Sequence, residues 1–233
     1  MHCSITLREA SGDVRRIFVL AGFALVLASG AGSPAAAGEP ASPLDAELAQ
    51  IVALLPGRYQ GTMPMMSDAS GKKTETVYHK IARIDAPQFG AMVMYHQIGA
   101  AGPDGPPAQQ KIYVFDVSPS RTENRMRSFV IPRGRGLQNF ESLGPEIAQL
   151  APESLMNFPP ECAIRWRRVS GGFAAHVSAR DCQYPSQTWK TDVRPDMTYV
   201  LKQRSFSLQE SMYYADGRPM FEMKRPSVAR RLD

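Results

Sequence analysis

Apolar and polar residues alternate along most of the chain after residue 77, and this period of two is that of a β-strand. Gly90–Ile98 and Lys111–Val117 are the clearest examples, and a Gly/Pro-rich segment at 100–107 separates them. Turn-forming pairs at Gly171-Gly172 and Asp216-Gly217 indicate hairpins. The same pattern predicts further strands at 77–81, Arg125–Ile131, Cys162–Val169, Phe173–Val177, Met197–Leu201, Ser205–Tyr214 and Pro219–Met223.

Two segments follow the helical period instead. Pro43–Leu55 is predicted as a helix because its apolar residues lie three and four positions apart, acidic residues occupy its first turns, and Pro56-Gly57 ends it. Pro145–Leu155 is predicted as a short helix within a long connection, since Pro152 interrupts it. The apolar positions of the first helix are Leu44, Leu48, Ile51, Val52 and Leu55.

The order of these elements predicts the fold class. Eight or more strands in series, joined by short turns and without a regular alternation of strands and helices, are typical of an antiparallel sheet. Closing such a sheet into a barrel removes its exposed edges. We therefore expect a mainly β, antiparallel barrel with an N-terminal helix and a short helical insertion. At about eight strands, the interior of a barrel is either filled by side chains or holds one small ligand.

The first 37 residues have the three parts of a secretory signal. Arg15-Arg16 supplies positive charge, Ile17–Ala28 is apolar and uncharged, and Ala35–Ala37 matches a cleavage site. The apolar run has about a dozen residues, whereas a helix that spans a bilayer needs about 20. The pattern therefore predicts an exported protein rather than a membrane anchor.

Cleavage near Ala37 would leave a mature domain of residues 38–233 that is periplasmic or secreted. A buried N-terminal helix is the alternative interpretation of the same residues. Met1 and Val14 both stay open as the translation start, because the stretch before Val14 is unusual for a signal. No second apolar run in the sequence is long enough for a membrane span.

The charge of the chain argues against a nucleic-acid partner. Lys and Arg number 27 against 22 Asp and Glu, and residues 1–37 contain three of the former and two of the latter, which leaves a mature charge of +4. This excess is diffuse, dense only at Arg133/Arg135 and Arg165–Arg168, and no nucleic-acid-binding motif accompanies it. We therefore expect an ordinary solvated surface.

Two cysteines, Cys162 and Cys182, remain after cleavage, because Cys3 is removed with the signal. In an oxidising compartment, an even pair predicts one disulfide. A metal site is the alternative, but no histidines lie at a spacing that would complete a zinc shell, so no metal is expected.

The sequence contains no motif that would identify an enzyme class. It lacks the G-x-S-x-G elbow, the H-E-x-x-H motif and a phosphate-binding P-loop, so no catalytic residue is predicted. His96 lies in a highly apolar strand, where it would either pair with a ligand carboxylate or be hydrogen-bonded within the sheet. His79 and His176 are predicted to lie at the surface.

The best candidates for a ligand site are polar residues of the strands. Tyr95 and Gln97 share one face of a strand because side chains alternate, and Gln109, Lys111 and Tyr113 share one face of the next. If both faces point inward, they form a polar patch between apolar walls, which is how small-molecule sites are usually built. Three further residues would close this site, namely Arg58, Tyr59 and Glu210.

The opposite orientation is also consistent with the pattern. Met92, Met94, Ile112 and Val114 would then fill the interior, and the polar patch would face solvent. The methionines of the chain suit either an adaptable ligand cavity or an ordinary core.

Short motifs along the chain resemble those of the T-type phycobiliprotein chromophore lyases, the CpcT/CpeT family, whose members are lipocalin-like β-barrels. The resemblance extends from about Leu44 to Arg225. The segments that carry it are Leu54–Tyr59, similar to L-x-G-x-F/Y; Met94–Gln97, similar to Y-x-E-Q; Pro107–Tyr113, similar to P-Y-R-Q-R-V-Y; Glu161-Cys162 with Trp166, Phe173 and Cys182, similar to G-C…F…C; and Glu210, Asp216-Gly217 and Phe221 in the closing hairpin.

The resemblance implies a small amphipathic ligand, such as a bilin or another tetrapyrrole-like molecule. It alternatively implies an active bilin lyase, which would attach a chromophore to a cysteine of a partner protein. The chain differs from the family at His96, where an acidic residue is usual, and at Gln109 and Lys111, where the family has arginines suited to propionates. A ligand-free structural module of the cell envelope therefore stays open as a third function, and the oligomeric state is not predicted.

Overall fold

The computed structural model describes residues 42–64, 74–102, 104–132, 143–186 and 189–232. The predicted signal at 1–37 and the predicted basic spot at Arg133/Arg135 lie outside these residues. Within the described residues, thirteen strands form one antiparallel sheet, and ten of them close into a barrel. The predicted fold class, an antiparallel barrel with an N-terminal helix and a short helical insertion, is confirmed.

Helix α1, Pro43–Leu54, begins at a capping box. The Ser42 hydroxyl accepts the backbone N–H of Asp45, and the Asp45 carboxylate accepts the backbone N–H of Ser42, so two otherwise unpaired donors are satisfied. Pro43 suits the first turn because it has no N–H to leave unpaired. Four of the predicted apolar positions are buried in the core, namely Leu48, Ile51, Val52 and Leu55.

The strands follow one another along the chain, and the longest connection between them is the segment that contains the second helix. Their bounds are β1 Gly57–Pro64, β2 Thr74–Ile84, β3 Met92–Gly99, β4 Gln109–Val117, β5 Asn124–Ile131, β6 Met156–Asn157, β7 Ile164–Val169, β8 Gly172–Val177, β9 Tyr184–Ser186, β10 Thr191–Lys202, β11 Ser205–Tyr214, β12 Pro219–Glu222 and β13 Ser227–Arg231. Helix α2 is Leu143–Ala148, and 3-10 turns occupy Pro152–Ser154 and Pro160–Cys162.

Four strands are not evident from the alternation of polarity, namely β1, β6, β9 and β13. Two of them, β6 and β9, are only two and three residues long, which is too short for a period to be visible. The second helix is also shorter than the predicted Pro145–Leu155. It ends at Ala148, and a separate 3-10 turn begins at Pro152, since proline cannot continue the hydrogen bonding of a helix.

The ring of strands runs β11-β13-β1-β2-β3-β4-β5-β7-β8-β10, and the pairing of β10 with β11 closes it. Both hairpins predicted from glycine turns are present, between β7 and β8 and between β11 and β12. Gly171 and Gly217 lie in these turns with φ of 75° and 86°, a left-handed conformation that glycine adopts without strain.

The buried side chains form two layers. One cluster fills the inside of the barrel and includes the buried face of α1. We call the end of the barrel against α1 the closed end, and the opposite end, where β2 and β4 begin, the far end. A second cluster lies on the outer wall of β3, β4 and β5, beneath Ala86, Phe89, Ile147 and Leu155. No helix among the described residues is long and apolar enough to cross a membrane.

A disulfide joins Cys162 and Cys182, which confirms that prediction. Cys162 ends the 3-10 turn before β7, and Cys182 follows β8, so the bond fastens the two ends of the β7–β8 hairpin to each other. Both cysteines are buried in the core of the barrel.

We predict that replacing both cysteines with alanine lowers the free energy of unfolding by about 3 kcal/mol, because a disulfide that closes a loop of this length restricts the unfolded chain by about that amount. The sequence separation is 20 residues. Urea unfolding of residues 38–233 and of the Cys162→Ala/Cys182→Ala variant would measure the difference. A titration of two free thiols in the unreduced wild-type domain would contradict the prediction.

Candidate functional site

The predicted polar patch is divided between the two faces of the sheet. Across the β3–β4 ladder, Lys111 lies opposite His96 and Tyr113 lies opposite Met94. Residues that lie opposite each other share a face, and Tyr113 and Met94 belong to the cluster that fills the barrel. Lys111 and Tyr113 therefore face inward, together with His96.

Tyr95 and Gln97 lie on the outer face. Tyr95 is opposite Ile112 in the outer cluster, and Gln97 is opposite Gln110. The Tyr95 hydroxyl is hydrogen-bonded to the side chains of Gln97 and Gln110, and burial raises its pKa to about 12. The prediction that these two residues form one patch with Lys111 is therefore wrong, and they belong to a second core outside the barrel.

Three other predicted residues lie at separate places. Gln109 is on the inner face as the first residue of β4, where it is exposed at the far end. Arg58 lies on the outer face, and its guanidinium binds the Asp104 carboxylate at 2.8 Å. Tyr59 faces inward but at the closed end, where its hydroxyl donates to the Leu55 carbonyl at 2.9 Å. Arg58 and Tyr59 therefore do not close a site around the other residues.

Glu210 does lie near the inward residues of β4. The residues two positions before and after it on β11 are buried in the barrel core, so Glu210 also faces inward, and it is half-buried. Its charge acts on the buried hydroxyls of Tyr113 and Tyr199. The structure therefore places Lys111, Tyr113 and Glu210 of the predicted set on the inner wall of one enclosed space.

A chain of hydrogen bonds runs through that space. Nδ1 of His79 lies 3.0 Å from Nε2 of His96, and Nδ1 of His96 lies 2.9 Å from the hydroxyl oxygen of Tyr113. The Tyr113 hydroxyl is hydrogen-bonded in turn to the hydroxyl of Tyr199. The chain links β2, β3 and β4 to β10, a strand that is not adjacent to any of them in the ring.

All four of these rings are neutral near pH 7, because burial disfavours their charged forms. Burial lowers the pKa of His79 to about 4, and the charge of Lys111 acts in the same direction. Burial, with smaller effects of His79 and Lys111, also holds the pKa of His96 well below its ordinary value. Burial raises the pKa of Tyr113 and raises that of Tyr199 further. Each imidazole therefore carries a single N–H, and the two rings share one hydrogen bond.

Two charged side chains flank this chain of neutral groups. Lys111 extends from β4 and Glu210 from β11, and both are half-buried. Within the described ranges, neither has an ion-pair partner or a side-chain hydrogen bond. Partly buried charges of this kind are groups that a polar or charged ligand would satisfy.

Little empty space remains beside these groups. The interior holds a void of about 10 Å³, enough for the centre of about one water molecule, and Trp166, Tyr113 and Tyr199 are among the residues that line it. The Phe206 ring also lines this void and makes edge-on contacts with the rings of His79 and His96.

The arrangement can hold and orient a molecule, but it presents no activated nucleophile. The two cysteines are joined in the disulfide, so neither is available as a thiolate. In the part of the chain that the structure describes, no three histidine, cysteine or acidic side chains are grouped as metal ligands. The side chains of this interior can therefore contribute hydrogen bonds and charge.

Two members of the site are not identified by the sequence analysis, namely His79 and Tyr199. The prediction that His79 lies at the surface is wrong, since it is 3% exposed. The sequence did contain an indication that His79 is buried, because the apolar residues Val77 and Ile81 lie two positions before and after it on the same strand face. Both of these neighbours are buried. His176, in contrast, is exposed as predicted.

Comparison with known proteins supports the fold and nothing finer. No protein-family model matches the chain, and no curated protein matches it significantly. A solved structure described as the SeMet CRL protein of Arabidopsis is similar, with a TM-score of 0.55 and 11% sequence identity, over 79% of this chain and 96% of that one. At this identity the likeness is one of fold alone, and the resemblance to the CpcT/CpeT family stays a prediction.

We predict that His79 alone lowers the free energy of unfolding by about 3 kcal/mol as the pH is lowered from about 6.5 to about 4, and that His96 adds to this loss. The unfolded chain protonates His79 near its ordinary pKa of 6.5, whereas the folded chain resists until about pH 4. The unfolded state therefore binds more protons in this window, and stability is lost as the pH falls.

Urea unfolding at a series of pH values would measure this loss in the wild type, in His79→Asn and in His176→Gln. The first variant removes the buried titrating ring, so its stability should depend less steeply on pH. The second removes an exposed histidine and should leave the wild-type slope unchanged. Equal slopes for the wild type and His79→Asn would show that the buried pair does not control the acid response.

Proposed function

We propose that this chain is an exported barrel that binds a small amphipathic ligand through its far end. The observation that carries the proposal is the presence of two opposite charges, Lys111 and Glu210, on the inner wall of the barrel. Both are half-buried, and neither has an ion-pair partner in the described part of the chain. The motifs that resemble the CpcT/CpeT family point to the same class of ligand.

Lys111 is the group that would bind an acidic group of the ligand. It is the third residue of β4, which begins at the far end, and its ammonium offers three N–H donors. The nearest titratable groups on its wall, His79 and His96, are neutral, so they do not compensate its charge. A carboxylate beside Lys111 would offset the cost of holding this charge partly out of water.

Glu210 would accept hydrogen bonds from N–H groups of the same ligand. It faces the interior from β11, near the hydroxyls of Tyr113 and Tyr199. A tetrapyrrole-like molecule, which has both carboxylates and ring N–H groups, would satisfy Lys111 and Glu210 together. A lipid-like molecule with one carboxylate would satisfy Lys111 only.

The filled interior sets a condition on this proposal. A void of about 10 Å³ cannot hold such a ligand, so side chains of the interior have to move when it enters. Phe206, which packs against both histidines, would be displaced, and Met94 and Met126 are flexible enough to repack.

The same filled interior favours a second candidate function, that of a structural module of the cell envelope without a ligand. Small barrels can be filled entirely by their own side chains. Attachment of a bound pigment to a cysteine of a partner protein is a further step that rests on the family resemblance alone, and it would require binding first.

Native mass spectrometry of the protein, purified from the cell fraction in which it accumulates, would reveal a co-purified small molecule. Calorimetric titration of residues 38–233 with biliverdin and with dodecanoic acid would test the two ligand types separately. A bound molecule or saturable binding supports the proposal. No bound molecule and no binding of either compound would leave the ligand-free module.

We predict that Lys111→Met weakens the binding of both compounds by about tenfold, because one charge-assisted hydrogen bond contributes about that much affinity. Glu210→Gln should weaken the binding of biliverdin but change the affinity for dodecanoic acid by less than about twofold. Only biliverdin has N–H groups that would donate to the Glu210 carboxylate. Calorimetric titration would measure both ratios.

Matched control variants are available on the outer surface. Lys202→Met and Glu153→Gln make the same changes at exposed positions of β10 and a 3-10 turn, and they should bind both compounds as the wild type does. Unchanged binding by Lys111→Met, or equal losses in Lys202→Met, would exclude the inner wall as the binding site.

A further inference from the structure

On the inner face of β5 and β7, three side chains carry buried polar atoms that lack a hydrogen-bond partner among the described residues. They are Asn124, for both atoms of its amide, Trp166, for its indole N–H, and Ser128, for its hydroxyl. Asn124 has no exposed surface, and Trp166 and Ser128 are 4% and 5% exposed. None of them belongs to the hydrogen-bonded chain of histidines and tyrosines.

These residues are neighbours on adjoining strands. Asn124 at the start of β5 lies directly opposite Trp166 on β7, and Ser128 lies opposite Tyr113 on β4. Trp166 also lines the small void, together with Tyr113 and Tyr199. The unpartnered atoms therefore follow one stripe of the inner wall, from the chain of hydrogen bonds toward the end that α1 closes.

Buried polar groups in folded proteins are hydrogen-bonded in the great majority of cases, because an unmade bond in the interior costs free energy. Four unsatisfied atoms that lie together on two adjoining strands therefore call for a hydrogen-bonding partner that the surrounding side chains do not supply. Their chemistry is mixed, since the indole is only a donor, whereas the amide and the hydroxyl both donate and accept. The void beside Trp166 has room for about one water molecule, which cannot satisfy all four atoms.

We propose that the inner end of the ligand carries a neutral hydrogen-bonding group, such as a hydroxyl or an amide, that binds Asn124 and Trp166. This inference rests on the proposed function, in which the outer end of the ligand is held at Lys111 and Glu210. The ligand is then polar at both ends and apolar between them, where it passes Met126 and Phe206. A simple fatty acid, whose inner end is a methyl group, would leave the stripe unsatisfied.

The inner group is neutral rather than charged because of what surrounds the stripe. The other residues that line the adjoining void include Leu55, Met126 and Tyr199, of which the first two are apolar and the third is an un-ionised phenol. Among the described residues that line this void, none carries a charge that would compensate a buried ion, and an uncompensated buried ion would be strongly disfavoured.

A pair of compounds that differ by one hydroxyl group tests this inference, namely dodecanoic acid and ω-hydroxydodecanoic acid. Homologous pairs of shorter and longer chains would find the length that reaches the stripe. Calorimetric titration of residues 38–233 should give about tenfold tighter binding of the best ω-hydroxy acid than of its parent. In the Trp189→Phe background Trp166 is the sole tryptophan, so a change in its emission would locate the bound group.

Asn124→Leu should remove the preference for the hydroxyl group while leaving the binding of dodecanoic acid unchanged or improved. The same variant should raise the melting temperature of the free protein, because an apolar side chain of similar size replaces an unsatisfied amide. Gln149→Leu, an equivalent amide replacement at an exposed position, should change neither the preference nor the melting temperature.

Equal binding of the two acids by the wild-type domain, or tighter binding of the parent acid, would overturn this inference and leave the proposed function in place. Either result would show that the polar atoms of Asn124, Trp166 and Ser128 are adequately hydrogen-bonded by water. No binding of either acid, together with no binding of biliverdin, would overturn both proposals. The comparison of ligands on the unmodified chain decides the matter even if Asn124→Leu does not fold.

Discussion

The pairing of β10 with β11 is the constraint on which the rest of the structure depends, because it closes the sheet into a ring. Ten consecutive residue pairs join these two strands, from Val193 opposite Tyr214 to Lys202 opposite Ser205. A ring of paired strands has no free edges, and every second side chain of each strand is directed into one enclosed space. Residues that are distant in the sequence, such as His79 and Tyr199, therefore belong to one chain of hydrogen-bonded groups.

The ends of that enclosed space differ. At one end, the apolar face of α1 packs into the barrel, and the Tyr59 hydroxyl is hydrogen-bonded to the Leu55 carbonyl and to Arg231. Toward the other end, the inner wall carries Lys111 and Glu210 without ion-pair partners in the described ranges. A molecule that enters such a barrel would meet charge first and apolar side chains later, which is the order of an amphipathic ligand with its charged group outermost.

The interior combines tight packing with an unusual share of polar atoms. Phe206 and its neighbours leave only a small void, as in a barrel with a purely structural role. Yet four polar atoms on β5 and β7 are buried there without partners among the described residues, and an apolar lining would have avoided that cost. The tight packing favours a structural role, whereas the unpartnered polar atoms favour a ligand. A bound ligand would reconcile the two observations, because it would displace Phe206 and form hydrogen bonds with the polar atoms.

The sequence alone determined the elements that depend on near neighbours. The apolar spacing and acidic first turns of α1, the alternation of β3, β4 and β10, and the glycine turns at Gly171 and Gly217 are all local, and each is present as predicted. The disulfide could also be predicted, because only two cysteines would remain after cleavage of the predicted signal and the expected compartment is oxidising.

Only the tertiary structure decided which face of each strand points inward. Alternation shows that Tyr95 and Gln97 share a face, and that Lys111 and Tyr113 share one, but it cannot relate the two pairs. That relation depends on the register between β3 and β4, which the long connection of residues 100–108 leaves undetermined, and a shift of one residue exchanges the faces. The outer wall is buried as well, under Phe89 and Ile147. Both faces of these strands therefore carry apolar residues, and polarity does not show which face points inward.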